Sequence, residues 1–158
     1  METTAVLKNK QCNGRLKGVR ERNFMTWMKT YRTVVLINLL LIFAQFGFAG
    51  QMLAGSSAAI RFHGFTGVLL VLIALMQAAL SIVLKAKGIG PSWLVGANVG
   101  VIVAVAIEAV CGHFHYLALH VPLALGIFAG VMRQLFWAVR ETRTASELPI
   151  RTGAAANS

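Results

Sequence analysis

Four apolar runs, at 34–54, 62–84, 93–110 and 121–139, set the pattern of this chain, with short polar interruptions between them. Each has close to the roughly 20 residues that a helix needs to cross a hydrocarbon core. None alternates apolar and polar positions with a period of two, which argues against a membrane barrel and leaves helices. Gly55-Ser56-Ser57 separates the first run from the second. Lys85, Lys87 and the segment 88–91 separate the second from the third, and the stretch from Cys111 to His120 separates the third from the fourth. Connections this short fold successive helices back on one another. The expected fold is all-α, a polytopic membrane protein forming an antiparallel four-helix transmembrane bundle. Its expected organisation is a basic juxtamembrane segment at 1–32, the bundle at 33–140 and a flexible tail at 141–158.

Composition agrees with this pattern: 57% of the 158 residues are hydrophobic, 13% are charged and the mean hydropathy is +0.69. The net charge of +10 raises the question of nucleic acid, but the positions of the charges answer it. Lys8, Lys10, Arg15, Lys17, Arg20, Arg22, Lys29 and Arg32 all precede the first run. Basic residues abutting a span follow from membrane topology and anionic lipid, and no folded basic surface remains once the spans are set aside. The expected partner is therefore the lipid bilayer, with room for a membrane protein partner or a homo-oligomer, and no nucleic acid.

Lysine and arginine also set the expected orientation. The amino-terminal segment, the Lys85/Lys87 loop and the carboxy-terminal segment hold nearly all of them, while the other two connections hold Arg61 alone. Both termini are expected in the cytoplasm, in a multi-pass protein of the cell inner (plasma) membrane. The first run exceeds the ~7–15-residue apolar core of a signal peptide and follows too long a charged region, so it reads as an uncleaved span. Segment 15–32 reads either as an amphipathic helix lying in the interface or as a disordered basic tail. Cys12 and Cys111 fall at opposite faces and are not expected to pair.

Inside the third run Gly96, Gly100, Ala104 and Glu108 recur at intervals of four, and Gly126 and Gly130 repeat the spacing in the fourth. Small residues so spaced let membrane helices approach closely, so these are expected to be packing faces. The amides Asn38, Gln45, Gln77 and Asn98 are expected to bond between helices, and Arg133 and Gln134 to snorkel. Glu108 is a candidate functional acid or a hydrated interfacial one.

The four histidines fall in two places. His63 opens the second run and His120 the fourth, so alternate crossings bring both to the same face of the membrane. Two imidazoles facing each other across a bundle can hold a haem iron axially. In that reading Gly67, one turn inward from His63, and Ala124, one turn inward from His120, leave room for a flat ring. Pro122, with no amide hydrogen, suits the first turn of the fourth helix. Arg61, His113 or His115 would approach the propionates and Glu108 would tune the potential. A rival set is Cys111, His113 and His115, with Glu108 or His120, for copper or zinc. The plain alternative is that these side chains sit in the interfacial zone and bind no cofactor.

The His63-x-x-x-Gly67 opening of the second helix, with a histidine opening the fourth, resembles one four-helix half of the haem A synthase family. It is also similar to small four-span bacterial membrane proteins of cytochrome b-like architecture. The resemblance covers 34–139 and implies haem b held by His63 and His120. The family has a glutamate where this chain has Ile60, an arginine where it has Gly64, and a cysteine pair in the first outer loop that this chain lacks. What carries over is the haem site without the synthase reaction.

Three functions are therefore in view: a b-type haem protein in electron transfer or as a redox-complex subunit, a scaffold or assembly subunit without cofactor, and a small proton-linked transporter. Asp is absent, and neither Gly-x-Ser-x-Gly, a phosphate-binding loop nor Gly-x-Gly-x-x-Gly occurs, so nothing in the residues points to an enzyme.

Overall fold

The computed structural model describes the backbone of residues 2–154, and side chains essentially from 21 to 144. Four helices follow in order: α1 (Glu2–Leu53), α2 (Ser57–Ala86), α3 (Ser92–His113) and α4 (Leu117–Ala154). Each contains a segment long and apolar enough to cross a membrane. The protein is thus a multi-pass, all-α integral membrane protein. The side chains of Cys12 and of the basic residues before position 21, apart from the helical backbone they share, lie outside the described residues.

Each helix packs on its neighbours in sequence, and α4 closes the ring against α1. Among the described residues, no Cα atom of α1 lies within 8 Å of one in α3, nor any of α2 within 8 Å of one in α4. These are the two diagonals of a four-helix bundle with antiparallel neighbours. The termini and the α2–α3 turn share one end, and the α1–α2 and α3–α4 turns share the other. Gly55, at φ +88, makes the first turn in a conformation that costs other residues energy.

The bundle is apolar on its outer surface as well as in its core, and a polar cluster lies within it. Leu40, Phe65, Leu75, Val103, Leu125 and Phe136 face outward, as lipid-facing positions do. The interior contains Tyr31 and Gln77 at 0% exposure and Asn38, Asn98 and Gln134 at 1%. These five side chains, drawn from all four helices, form one network. Tyr31 Oη donates to Gln134 Oε1 at 2.7 Å and accepts from Asn98 Nδ2 at 3.1 Å. Gln77 Nε2 donates to Gln134 Oε1 at 2.7 Å and Asn98 Oδ1 at 2.9 Å, and Gln77 Oε1 accepts from Asn38 Nδ2 at 2.8 Å. Without water to bond them, buried amides must find each other, and that fixes the rotation of every helix.

Two expectations about packing need correction. Gln134 does not snorkel; it is a member of the buried network, while its neighbour Arg133 stays exposed and lies over the Trp93 ring at 4.7 Å. The glycines of the third and fourth runs do not bring helices together inside the bundle. A Cβ added at Gly96, Gly100 or Gly126 would meet nothing within 4 Å, and at Gly130 only Val101 Cγ2 at 3.8 Å. The network claims the inward face of α3 through Asn98, and the small-residue face is turned outward.

The bundle also extends beyond the apolar runs. α1 passes residue 32 without a break, and Met28 and Tyr31 are fully buried in the core. α4 likewise continues past residue 140 to Ala154. Trp137 packs edge-on against Tyr31 (6.1 Å) and Trp93 (5.9 Å), and Lys87 Nζ lies 5.0 Å from the Trp27 ring, so tryptophans gather at the termini end as they do at a membrane interface.

Candidate functional site

The site forms at the end opposite the termini. The α3–α4 turn takes three residues, Phe114 to Tyr116, closed by the Tyr116 amide donating to the Cys111 carbonyl at 2.8 Å. His115 adopts φ 60, a left-handed conformation that costs a non-glycine residue ~1–2 kcal/mol and allows so abrupt a reversal. The Leu119 and His120 amides then donate to the Tyr116 carbonyl, so α4 starts a full turn earlier than Pro122 implies. His120 is consequently inside the first turn of α4, directly beside the last turn of α3.

That register seats the His120 ring on Gly112. A Cβ at Gly112 would lie 2.8 Å from His120 Cε1 and 3.1 Å from Nδ1, so only glycine admits the ring in this position. His120 Nδ1 is 3.0 Å from the Glu108 carbonyl oxygen and 3.3 Å from Glu108 Oε1. Both are acceptors, which makes Nδ1 the protonated nitrogen and leaves Nε2 with its lone pair. A histidine oriented by a carboxylate and a carbonyl in this way is the usual supporting arrangement of an imidazole ligand.

His63 reaches toward it from α2, on the other side of the bundle. The two ring centroids are 6.3 Å apart and inclined by 58°. The convergence expected of His63 and His120 is therefore present, across the diagonal between α2 and α4. Gln45 of α1 donates its Nε2 to the His63 carbonyl at 3.0 Å. Its Oε1 and His63 Nδ1 are both buried without a hydrogen-bond partner, two of three such side-chain atoms among the described residues. Unsatisfied buried polar atoms are rare in folded proteins and mark places with a further role.

The other candidate residues fall as follows. Gly67 faces α1 rather than the space between the histidines: a Cβ there would meet Gln45 Nε2 at 3.1 Å. Its smallness admits Gln45 and not a flat ring. Ala124 is partly buried, one turn along α4 from His120. Glu108 is partly buried and belongs to the site through His120. Arg61, His113 and His115 are exposed at the same end, His113 packing edge-on against Phe114 at 5.1 Å. Cys111 is buried with a free thiol. Among the described residues no three of His, Cys, Asp or Glu gather into a metal site, so the rival set of Cys111, His113 and His115 is not assembled.

Gly112 and Gln45 carry the site and were not among the sequence candidates. For Gly112 the signal was present: a glycine eight residues before His120 across a short reversal lies where the returning helix must pass. Gln45 was legible as an interhelical amide but not as the partner of His63.

Fold and site together define a four-span membrane protein with a histidine pair near one face. No family model, curated protein or solved structure matches this chain.

Proposed function

We propose that His63 and His120 are the axial ligands of a b-type haem and that the protein carries electrons in the membrane or serves as a subunit of a redox complex. The single observation that carries this reading is the pair of imidazoles from diagonal helices at 6.3 Å between centroids, one of them already oriented through its second nitrogen. That separation suits two imidazoles sharing one ion at metal–nitrogen distances of ~2.0–2.1 Å. Two protein ligands are too few for a structural zinc or copper site, which draws three or four from the chain. They suffice for haem, whose macrocycle brings the other four donors. The orphaned His63 Nδ1 and Gln45 Oε1 support the same centre.

In this reading His63 and His120 would hold the iron, and bound haem supplies a one-electron couple. The chain's own contribution is orientation and electrostatics. Glu108 accepts from His120 Nδ1 through its carbonyl and places its carboxyl group beside the ring, which would orient the ligand and favour the oxidised form of a bound haem. The orientation belonging to the proposal puts both termini in the cytoplasm and the histidine end outside, in the inner membrane.

Protein purified in detergent from haem-replete cells should show a b-type reduced-minus-oxidised difference spectrum, lost in both His63→Ala and His120→Ala. A colourless preparation from such cells would overturn the assignment.

A proton-linked carrier is the second reading, favoured by the Glu108–His120 contact, because acids and histidines within spans relay protons. Proteoliposomes loaded with a pH-sensitive dye would then dissipate an imposed pH gradient, and Glu108→Gln would stop them.

A further inference from the structure

On the outer face of α3 and α4 lies an open groove of about 240 Å³, away from the histidines. Its floor is made by Gly100, Ala104, Gly126 and Gly130, and its end toward the termini by Trp93 and Arg133. Gln134 also lines it: this side chain is 1% exposed, its Oε1 is taken by Tyr31 and Gln77, and its Nε2 is buried without a partner. Arg133 lies on the Trp93 face, which leaves the guanidinium N–H edge free, and no carboxylate pairs with it among the described residues. One end of the groove thus holds a cation and an unused amide donor at the level of the tryptophans, and the rest is apolar, its glycine and alanine floor walled by Val101, Leu123 and Ile127.

We infer that this groove binds an anionic phospholipid of the leaflet on the termini side, its phosphate at Arg133 and Gln134 and one acyl chain along the glycine floor. Length favours a lipid over a helix. From Trp93 to Ala104 is about 16 Å at the α-helical rise, close to half of a ~30 Å hydrocarbon core. That is the depth of one leaflet, whereas a partner helix would use the whole span. Charge argues the same way. A second copy docked here about a two-fold axis normal to the membrane would set Arg133 against its own counterpart with no acid between them. Basic pockets between helices at an interface are where lipid phosphates bind.

The test is native mass spectrometry of the full chain released from vesicles of phosphatidylcholine alone or of equal parts phosphatidylcholine and phosphatidylglycerol. Bound phosphatidylglycerol should be retained over phosphatidylcholine by ~5-fold, the size of one near-surface charge contact. Arg133→Gln should remove the preference, and Gly126→Leu, whose Cβ meets nothing within 4 Å, should expel the lipid while leaving the fold intact. Replacing the loop cations instead, in Lys85→Gln with Lys87→Gln, should keep the preference. Equal retention of the two lipids by the wild type, or a preference that survives Arg133→Gln, overturns the inference. So does disulfide dimerisation of Gly126→Cys in the membrane, which would assign the groove to a second copy.

Discussion

At the residue scale the histidine pair depends on an absent side chain. The His120 ring occupies the space where a Cβ of residue 112 would stand, at 2.8 Å from Cε1, and the ring cannot yield without leaving Glu108. In the proposed haem site Gly112→Ala should therefore lower haem retention by roughly 10–100-fold, the range seen when support of a ligand is disturbed. Gly64→Ala, at an exposed position with open space, should leave retention unchanged. Glu108→Gln keeps the backbone acceptor of His120 and loses the charge, so it should raise the reduction potential with a smaller loss of haem, read by redox titration. His63 and His120 could be picked out because histidines are few and both border apolar runs. Gly67 meets Gln45 rather than a ring, because spacing says which residues share a turn and not which neighbour they meet. The rival Cys111, His113 and His115 failed for a related reason. They are close in sequence, but Cys111 is buried while His113 and His115 are exposed.

At the element scale the bundle is registered by amides rather than by glycines. Gln77 exchanges hydrogen bonds with Asn38, Asn98 and Gln134, so it links α2 to each of the other helices. Gln77→Leu should cost about 2 kcal/mol, at ~0.6 kcal/mol for each of three bonds within a membrane protein, measured by reversible unfolding in mixed micelles. Gly96→Leu, on the outward face of α3, should cost far less. The need for interhelical partners at Asn38, Gln77 and Asn98 was legible from their place inside apolar runs. Their convergence on one another, and the membership of Tyr31 and Gln134, was not, because Tyr31 precedes the first run and Gln134 lies toward the end of the fourth, where a polar residue ordinarily reaches water. The small-residue spacing marks a packing face but not its direction: the competing face of Asn98 turns it away from the bundle interior.

At the scale of the whole molecule the four crossings, their order and the shared end of His63 and His120 all follow from run length and short connections, which is why the architecture was readable without a structure. Orientation rests on charge alone, and labelling tests it. In a Cys12→Ser, Cys111→Ala background, Ser56→Cys should react with a membrane-impermeant thiol reagent from outside intact cells, and Lys87→Cys only after lysis. The claim on which the functional reading depends is that imidazoles from α2 and α4 meet at one iron. Electron paramagnetic resonance of the oxidised, purified protein tests it most directly. A low-spin signal of two imidazole ligands, turning high-spin in His63→Gly and in His120→Gly and restored by added imidazole, is the expected result. A haem signal that neither replacement alters, or none from protein made in haem-replete cells, would contradict it.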